Sequence, residues 1–299
     1  MKTQCIGTSL VLAIAMAVFS SGSASVQAQL LMMPDSTNNR LVTFDANDGS
    51  VVNTNVFPLL GGTPIHAMLV GSEIWVSEQV GDRVSRFDLA GNVLGQLGTA
   101  GLDNVRGMGQ FGGKVYVTST GTANGAPGRQ VRMYDTAGNE LGFFLTPLSS
   151  GFHVLPHQGG LLVSSDSAND DIHRYDLSGN SLGAFHNSTG LNFAEQMDYA
   201  TNGDILVAAF SSNLVVRLDP NTGTILGSFA ASGARGVKQL GNGNILWTNS
   251  AGAHVYNVGT GTSTQVYAGG GRFIDVIPEP TTASLLAVLA GFVLVRRRR

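Results

Sequence analysis

Six polar or charged residues recur at one position of a repeated strand pattern, and their types are the best suited in this sequence to do chemistry. Each stands two residues before an apolar residue, and the set is His66, Arg106, His153, Glu195, Arg235 and Arg272. If each repeat brings its residue to a common centre, three guanidinium groups face one carboxylate there, with a net charge of about +2 when the histidines are neutral. Arginine forks match the geometry of carboxylates and phosphates. The pattern therefore predicts a site for an anionic ligand, such as an acidic sugar or the end of an acidic polysaccharide.

Three acidic residues are expected at the same place, and they leave two other interpretations open. Each stands ten residues before a repeated turn residue, and the set is Asp35, Glu78 and Asp166. Their carboxylates could bond the arginines and simply close the centre. Alternatively, they could join His66, His153 and Glu195 around a divalent cation, calcium or magnesium if oxygen ligands dominate. No H-E-x-x-H, calcium-binding loop or Cys/His motif in the sequence marks such a site.

The elements that must position these residues follow from a phrase repeated along the chain. It occurs as R-F-D-L-A-G-N-V-L-G at 86–95, R-M-Y-D-T-A-G-N-E-L-G at 132–142 and R-Y-D-L-S-G-N-S-L-G at 174–183. Asp, Asn and Gly between two short β patterns form hairpin turns, because Gly and Asn accept positive φ and Asp bonds its own backbone. The repeated turn residues, spaced by 43, 47, 41, 43 and 38 residues, are Asp45, Asp88, Asp135, Asp176, Asp219 and Asn257. Periods near 40 with four short strands each predict propeller blades.

The two ends of the repeated region predict how the ring of six blades closes. The first repeat lacks an innermost strand, whereas the segment 272–276 follows the sixth repeat and has no blade of its own. Joining the two fragments leaves only short, protected edges. We therefore expect an all-β fold over residues 29–277, a six-bladed β-propeller of four-stranded blades. We expect the site at the channel mouth where the innermost strands begin and the second strands end.

The phrase D-x-x-G-x-x-L-G resembles that of NHL-type propellers and of the wider group of lactonase-like and streptogramin-lyase-like propellers, over about residues 30–277. In those enzymes the chemistry takes place at this mouth with a divalent metal. The resemblance implies that His153 or Glu195 would be the general base if this chain were such a lyase or lactone hydrolase. A structural protein of the extracellular matrix is a third alternative, since the fold hosts all of these. The residues themselves favour a propeller that binds a surface protein or an anionic glycan without catalysis.

The first 28 residues have the features of a secretory signal peptide. Lys2 precedes an apolar run over 10–19, and Val26-Gln27-Ala28 provides small residues at the positions that signal peptidase inspects. An apolar run of ten residues is too short for a bilayer core, which needs about 20. We therefore predict export, with residues 1–28 removed.

The last 22 residues, 278–299, combine three features in a fixed order. The motif Pro278, Glu279 and Pro280 comes first, an apolar segment over 281–295 follows, and the chain ends in Arg296, Arg297, Arg298 and Arg299. This order resembles the PEP-CTERM protein-sorting segment. The resemblance implies an exosortase-type sorting enzyme as a partner and a short helix that holds the precursor transiently in the inner membrane. It also implies delivery to the cell surface or the exopolysaccharide-rich matrix of a Gram-negative bacterium.

Charge excludes one class of partner. Residues 29–277 retain 12 of the 17 basic and 19 of the 20 acidic side chains, which gives a net charge of about −7 with neutral histidines. Such an acidic domain does not match nucleic acid or an anionic membrane surface, so we predict neither as a ligand. The only cysteine, Cys5, lies within the predicted signal peptide, and no disulfide is expected.

Overall fold

A computed structural model describes residues 29–98, 100–166 and 171–277, which form six sheets of four strands each. The innermost strands of neighbouring sheets contact one another around a central axis. The chain is therefore an all-β, six-bladed propeller, and the predicted fold class is confirmed. The predicted signal peptide (1–28) and the predicted sorting segment (278–299) lie outside the described residues. Within the described ranges, no helix is long and apolar enough to cross a bilayer.

All strand pairs within a blade are antiparallel, and the strands of each blade follow one another from the innermost to the outermost. The first three blades consist of β24 (Asp275–Ile277), β1 (Leu30–Asp35), β2 (Arg40–Asp45) and β3 (Val51–Asn53); β4 (Pro64–Val70), β5 (Glu73–Glu78), β6 (Arg83–Phe87) and β7 (Val93–Leu97); and β8 (Val105–Phe111), β9 (Lys114–Ser119), β10 (Gln130–Asp135) and β11 (Glu140–Leu145). The other three consist of β12 (Gly151–His157), β13 (Gly160–Ser165), β14 (Ile172–Tyr175) and β15 (Ser181–His186); β16 (Ala194–Tyr199), β17 (Ile205–Ala209), β18 (Leu214–Leu218) and β19 (Ile225–Ala230); and β20 (Gly236–Gln239), β21 (Ile245–Asn249), β22 (Gly252–Asn257) and β23 (Thr262–Ala268).

The repeated turn joins the third strand of a blade to its outermost strand, as the sequence phrase predicts. In the second blade, Asp88 Oδ1 accepts the backbone N–H groups of Ala90 (2.9 Å) and Asn92 (2.8 Å). Asp88 Oδ2 accepts the side-chain amide of Asn92 at 2.7 Å. The same bonds recur at Asp135 and Asp176. The repeated aspartate therefore specifies the hairpin, because it satisfies the backbone groups that the turn leaves unpaired.

The hydrophobic core lies between neighbouring blades. Three large aromatic side chains, all buried, each belong to a cluster drawn from two adjacent blades, namely Trp75, Tyr116 and Trp247. These three side chains therefore pack between blades. Burial of side chains of this size contributes roughly 1.5–3 kcal/mol each, so these contacts hold the blades at fixed positions around the axis.

The ring closes where the sequence predicts, because β24 pairs with β1 and completes the first blade. Asp35, at the end of β1, reinforces the closure. Its carboxylate accepts hydrogen bonds from the Tyr267 hydroxyl and from the backbone N–H of Gly270 at 2.9 Å. Tyr267 belongs to the outermost strand of the sixth blade, and Gly270 follows that strand. One buried carboxylate thus connects the last blade to the first.

Candidate functional site

Four of the six innermost strands, β4, β8, β12 and β16, carry a β-bulge at the same place, and the bulge determines which side chains face the channel. In β8, Arg106 and Gly107 together oppose one residue, Thr118. The same irregularity occurs in β12 and β16, where the residues that share one partner are Phe152 with His153 and Glu195 with Gln196. A bulge bends its strand and re-aims a side chain, and bulges are frequent beside functional sites. The two residues of each bulge therefore lie at different depths along the channel, which we call the outer and the deeper level.

Three hydroxyl groups near the ends of the second strands each bind one blade to the next. The hydroxyl donates to a backbone carbonyl of the following blade, from Thr118 to Phe152 (3.2 Å), from Ser164 to Glu195 and from Thr248 to Arg272 (2.7 Å). These bonds satisfy backbone carbonyl groups. Sequence analysis missed this position, although a Ser or Thr next to the last residue of the second strand is a visible signal.

The six predicted site residues do not share one level of the channel. The outer level, near the mouth where the innermost strands begin, contains Arg106, Glu195, Arg235 and Arg272. His66 and His153 lie one residue deeper, at the level of Gly107. The prediction of a single ring is wrong. It aligned the repeats on the apolar residue two positions after each site residue. In the second and fourth blades, the residue one position after, Ala67 or Val154, is also apolar, so the alignment of these two blades is shifted by one residue.

The deeper level closes the channel. Ring centroids are 5.4 Å apart for His66 and His153, 5.6 Å for His153 and Phe273, and 5.7 Å for His66 and Phe273. Gly107, Gln196 and Gly236 complete this level. A Cβ at Gly107 would lie 2.5 Å from a backbone carbonyl oxygen and 2.8 Å from the Phe273 ring, so only glycine fits there. We call these six residues the channel plug.

Both plug histidines are fixed by the neighbouring blade. His66 Nδ1 accepts the backbone N–H of Met108 (3.1 Å), and His153 Nδ1 accepts that of Met197 (3.4 Å). Burial lowers the pKa of His153 well below its usual range, and the nearby His66 lowers it further. A neutral imidazole whose Nδ1 accepts a hydrogen bond carries its proton on Nε2 and has no free basic nitrogen. This geometry gives no support to His153 as a general base.

The outer level forms a cationic group of four residues that we call the arginine cluster, made of Arg106, Arg235, Arg272 and Glu195. Arg235 Nη1 lies 3.0 Å from Glu195 Oε1. Arg272 Nε donates to the hydroxyl of Ser36 at 2.8 Å. Among the described residues, no carboxylate lies within ion-pair distance of Arg106 or Arg272. Three guanidinium groups therefore share one carboxylate, and four of the six residues that sequence analysis predicted for an anion come together here.

Phenylalanine rings support the arginine cluster. The guanidinium of Arg106 lies 4.4 Å from the ring centroid of Phe152, and that of Arg235 lies 4.6 Å from Phe210. Phe193 lies between the two rings, at centroid distances of 4.7 Å and 5.1 Å. Cation–π contacts hold a guanidinium in place without neutralising its charge. The rings therefore orient two arginines without pairing their charges.

Burial dominates the electrostatics of the arginine cluster. It lowers the pKa of Arg106, and it lowers the pKa of Arg272 to about 10, with the neighbouring Arg235 acting in the same direction. Burial also raises the pKa of Glu195, whereas the surrounding arginines act against that rise. Guanidinium groups stay protonated at neutral pH. The cluster is therefore a partly buried positive charge that a bound anion would stabilise.

The three acidic residues predicted at this mouth do not neutralise the cluster. Asp35 is bonded within the ring closure. Glu78 Oε2 lies 2.7 Å from Arg83 Nη2, in its own blade. Asp166 follows the end of β13, and its charge acts on Arg106 from outside ion-pair distance. In the described part of the chain, no three His, Cys, Asp or Glu side chains form a metal-binding group. The predicted calcium or magnesium site thus gains no support from this arrangement.

Comparison with known proteins identifies the fold. No protein-family model matches the chain, and no curated protein matches it. A Bacteroides caccae protein of unknown function is 16% identical, with a TM-score of 0.64 and coverage of 85% of this chain and 100% of that one. A chain of the nidogen/laminin complex is 12% identical, with a TM-score of 0.67 and coverage of 84% and 98%. Virginiamycin B lyase from Staphylococcus aureus is 12% identical, with a TM-score of 0.56 and coverage of 81% and 78%. At these identities the chain is similar to such propellers in fold alone.

Proposed function

We propose that this protein is an exported β-propeller that binds an acidic glycan at the arginine cluster without altering it chemically. The charge balance of the cluster carries the proposal, because three half-buried guanidinium groups share one buried carboxylate. A ligand with several carboxylates, such as a short run of uronic acids, can accept hydrogen bonds from more than one of these forks. The domain around the cluster is acidic and repels anions. An anion is therefore attracted to the cluster and not to the rest of the surface.

Apolar surface beside the charges favours a sugar over an inorganic anion. Phe193 and Phe210 are half-buried at the same mouth. Sugar rings present an apolar C–H face together with polar edges, and aromatic side chains supply large, rigid contact surfaces. An acidic sugar can therefore use the aromatic rings and the guanidinium groups together.

The geometry supports binding rather than catalysis. Of the two residues that the family resemblance suggests as a general base, His153 is part of the channel plug, and Glu195 is paired with Arg235. A general base must accept a proton from a substrate within hydrogen-bond reach. Both residues are already engaged by protein groups, so neither supports the alternative of a lyase or lactone hydrolase.

Export and sorting complete the proposal. We infer from residues 1–28 and 278–299 that the precursor crosses the inner membrane and is delivered by an exosortase-type enzyme to the surface or matrix of a Gram-negative bacterium. Mass spectrometry of the terminal peptides of the extracellular protein tests this. We expect an N-terminus near residue 29 and a C-terminus near Pro278. An intact C-terminus that includes Arg296–Arg299 in the extracellular fraction would contradict it.

Calorimetric titration of the full-length protein tests the proposed ligand class. Trigalacturonate is the acidic compound, and galactotriose is its neutral counterpart. We expect binding of the acidic trisaccharide only, and we expect a fivefold to tenfold loss of affinity in Arg106→Gln, because that guanidinium has no competing carboxylate partner among the described residues. Arg174→Gln removes an exposed arginine on β14 and is the charge-matched control, for which affinity should stay within twofold.

Four results would contradict the proposal. Equal binding of the neutral trisaccharide would show that charge does not select the ligand. Equal losses in both arginine variants would show that only net charge matters. Release of unsaturated sugar ends from the acidic trisaccharide would make the protein a lyase, and failure to bind any acidic glycan would favour a structural role in the matrix.

A further inference from the structure

A cavity of about 520 Å³ lies at the channel mouth opposite the arginine cluster. His66 and His153 form part of its lining, so the channel plug separates the two mouths. Its other lining residues follow the plug residues along the innermost strands, and they include Met68, Met108 and Met197. Small-molecule sites commonly enclose about 300–1,000 Å³ and combine apolar walls with a few polar groups. The cavity has the size and the composition of such a site.

The charged groups of this cavity leave one carboxylate without a lysine or arginine partner among the described residues. Lys238 Nζ lies 2.7 Å from Asp198 Oδ2, so these two groups neutralise each other. Asp275 also lines the cavity and has no lysine or arginine within ion-pair distance among the described residues. Burial raises the pKa of Asp198, Lys238 acts against that rise, and the charge of Asp275 adds to it. Because Asp198 is already paired with Lys238, a cation in the cavity would balance the charge of Asp275.

His66 presents a buried donor to the same space. Because its Nδ1 accepts the Met108 N–H, the proton of the neutral ring is on Nε2. Nε2 lies 3.5 Å from Asp275 Oδ2 and makes no hydrogen bond to any described residue. The residue is only 2% exposed. Its nearest acceptor, Asp275 Oδ2, lies at a distance that allows only a weak hydrogen bond, so an oxygen atom of a ligand would stabilise this donor.

We propose that this cavity binds a small amino alcohol with an apolar body. Its ammonium group pairs with Asp275, its hydroxyl oxygen accepts the hydrogen bond of His66 Nε2–H, and its apolar part packs against Met68, Met108 and Met197. The site lies on the opposite side of the channel plug from the arginine cluster and has the opposite charge. It does not depend on glycan binding at that cluster.

Methionine methyl NMR of the full-length protein tests the proposal and locates the ligand. The compounds are 2-amino-1-phenylethanol, phenethylamine, which lacks the hydroxyl, and 3-phenylpropanoate, which replaces the amine by a carboxylate. We expect the amino alcohol to shift the methyl signals of Met68, Met108 and Met197 while that of Met133, on β10, stays in place. Affinity should fall at least threefold for phenethylamine and at least tenfold for 3-phenylpropanoate.

A matched pair of variants assigns the charge. Asp275→Asn should weaken the amino alcohol about tenfold, whereas Asp48→Asn, which removes an exposed carboxylate in the turn between β2 and β3, should leave affinity unchanged. An unchanged methionine spectrum of each free variant shows that it is folded. Four results would each overturn the proposal. The carboxylate compound could bind with equal affinity, phenethylamine could bind with equal affinity, the Met133 signal could shift as much as those of the three lining methionines, or the two variants could have equal effects.

Discussion

Substitution of Gly107 by alanine perturbs the channel plug with a single methyl group. An added Cβ would lie 2.5 Å from the backbone oxygen of Phe152, 2.8 Å from Cε2 of Phe273 and 3.0 Å from Cδ2 of His153. The φ of Gly107 is not positive, so the cost comes from contact rather than from backbone conformation. The carbonyl of Phe152 also accepts the hydroxyl of Thr118, which restricts its movement.

The expected cost follows from these contacts. Adding a methylene to a well-packed interior costs typically about 1–3 kcal/mol. A backbone oxygen and two interlocked rings cannot all retreat, so we expect the upper part of this range, about 2–3 kcal/mol. Replacing glycine by alanine also makes the unfolded chain less flexible, which raises the free energy of unfolding by about 0.4–1 kcal/mol. The net loss of stability is then about 2 kcal/mol. For a domain of this size, that loss lowers Tm by about 4–8 °C.

Thermal unfolding followed by circular dichroism measures the effect. Gly227→Ala is the matched control, because Gly227 lies in β19 with no atom within 4 Å of an added Cβ and has no positive φ. We expect Gly227→Ala to keep or slightly raise Tm. If Gly107→Ala unfolds at the same temperature as Gly227→Ala, the plug residues are not interlocked.

Two further predictions concern the ring closure and the channel plug. Burial alone would raise the pKa of Asp35, but hydrogen bonds from Asn38, Tyr267 and Gly270 outweigh it and lower the pKa to about 2. Because this folded-state pKa is below its unfolded value near 4, the stabilisation is present above about pH 4 and is lost as pH falls toward 2, a change of about 2 kcal/mol. Urea unfolding between these pH values should show that loss in the native protein and a flatter profile in Asp35→Asn, and identical profiles would contradict the role of Asp35. Phe273→Ala should cost about 3–5 kcal/mol in the same assay, because it removes a buried ring from the plug, and a cost below about 1 kcal/mol would show that the ring is not tightly packed.

Features that depend on local chemistry could be predicted from the sequence. The turn at Asp88 depends on residues within four positions of the aspartate, so the repeated phrase was sufficient to locate it. The ring closure was also visible, because 272–276 is a strand pattern without a blade and the first blade has a strand missing. The pairing of β24 with β1 confirms that closure.

The levels of the channel could not be predicted from spacing. In the second and fourth blades, Ala67 and Val154 are apolar, as are Met68 and Leu155 that follow them. Either residue can mark the strand, and the choice decides whether a histidine faces the mouth or the plug. A shift of one residue in a strand reverses the side that each residue faces, and the bulge that sets this register depends on pairing with the neighbouring strand.

The partners of the acidic residues could not be predicted from their spacing. Asp35 and Glu78 occupy equivalent strand positions, and sequence analysis placed both at the arginine mouth. Asp35 instead bonds Tyr267, which is 232 residues away in the chain. Glu78 pairs with Arg83, five residues on, although the spacing alone did not distinguish this arginine from those of the cluster. The cationic character of the mouth follows from these contacts.

The affinity of Glu195→Gln for trigalacturonate tests the central claim most directly. Among the described residues, Glu195 is the only carboxylate paired within the arginine cluster, so its neutralisation should free Arg235 and strengthen binding about threefold to tenfold. Arg106→Gln should change the affinity in the opposite direction. An unchanged or weaker affinity in folded Glu195→Gln would show that the cluster is a structural network and not an anion site.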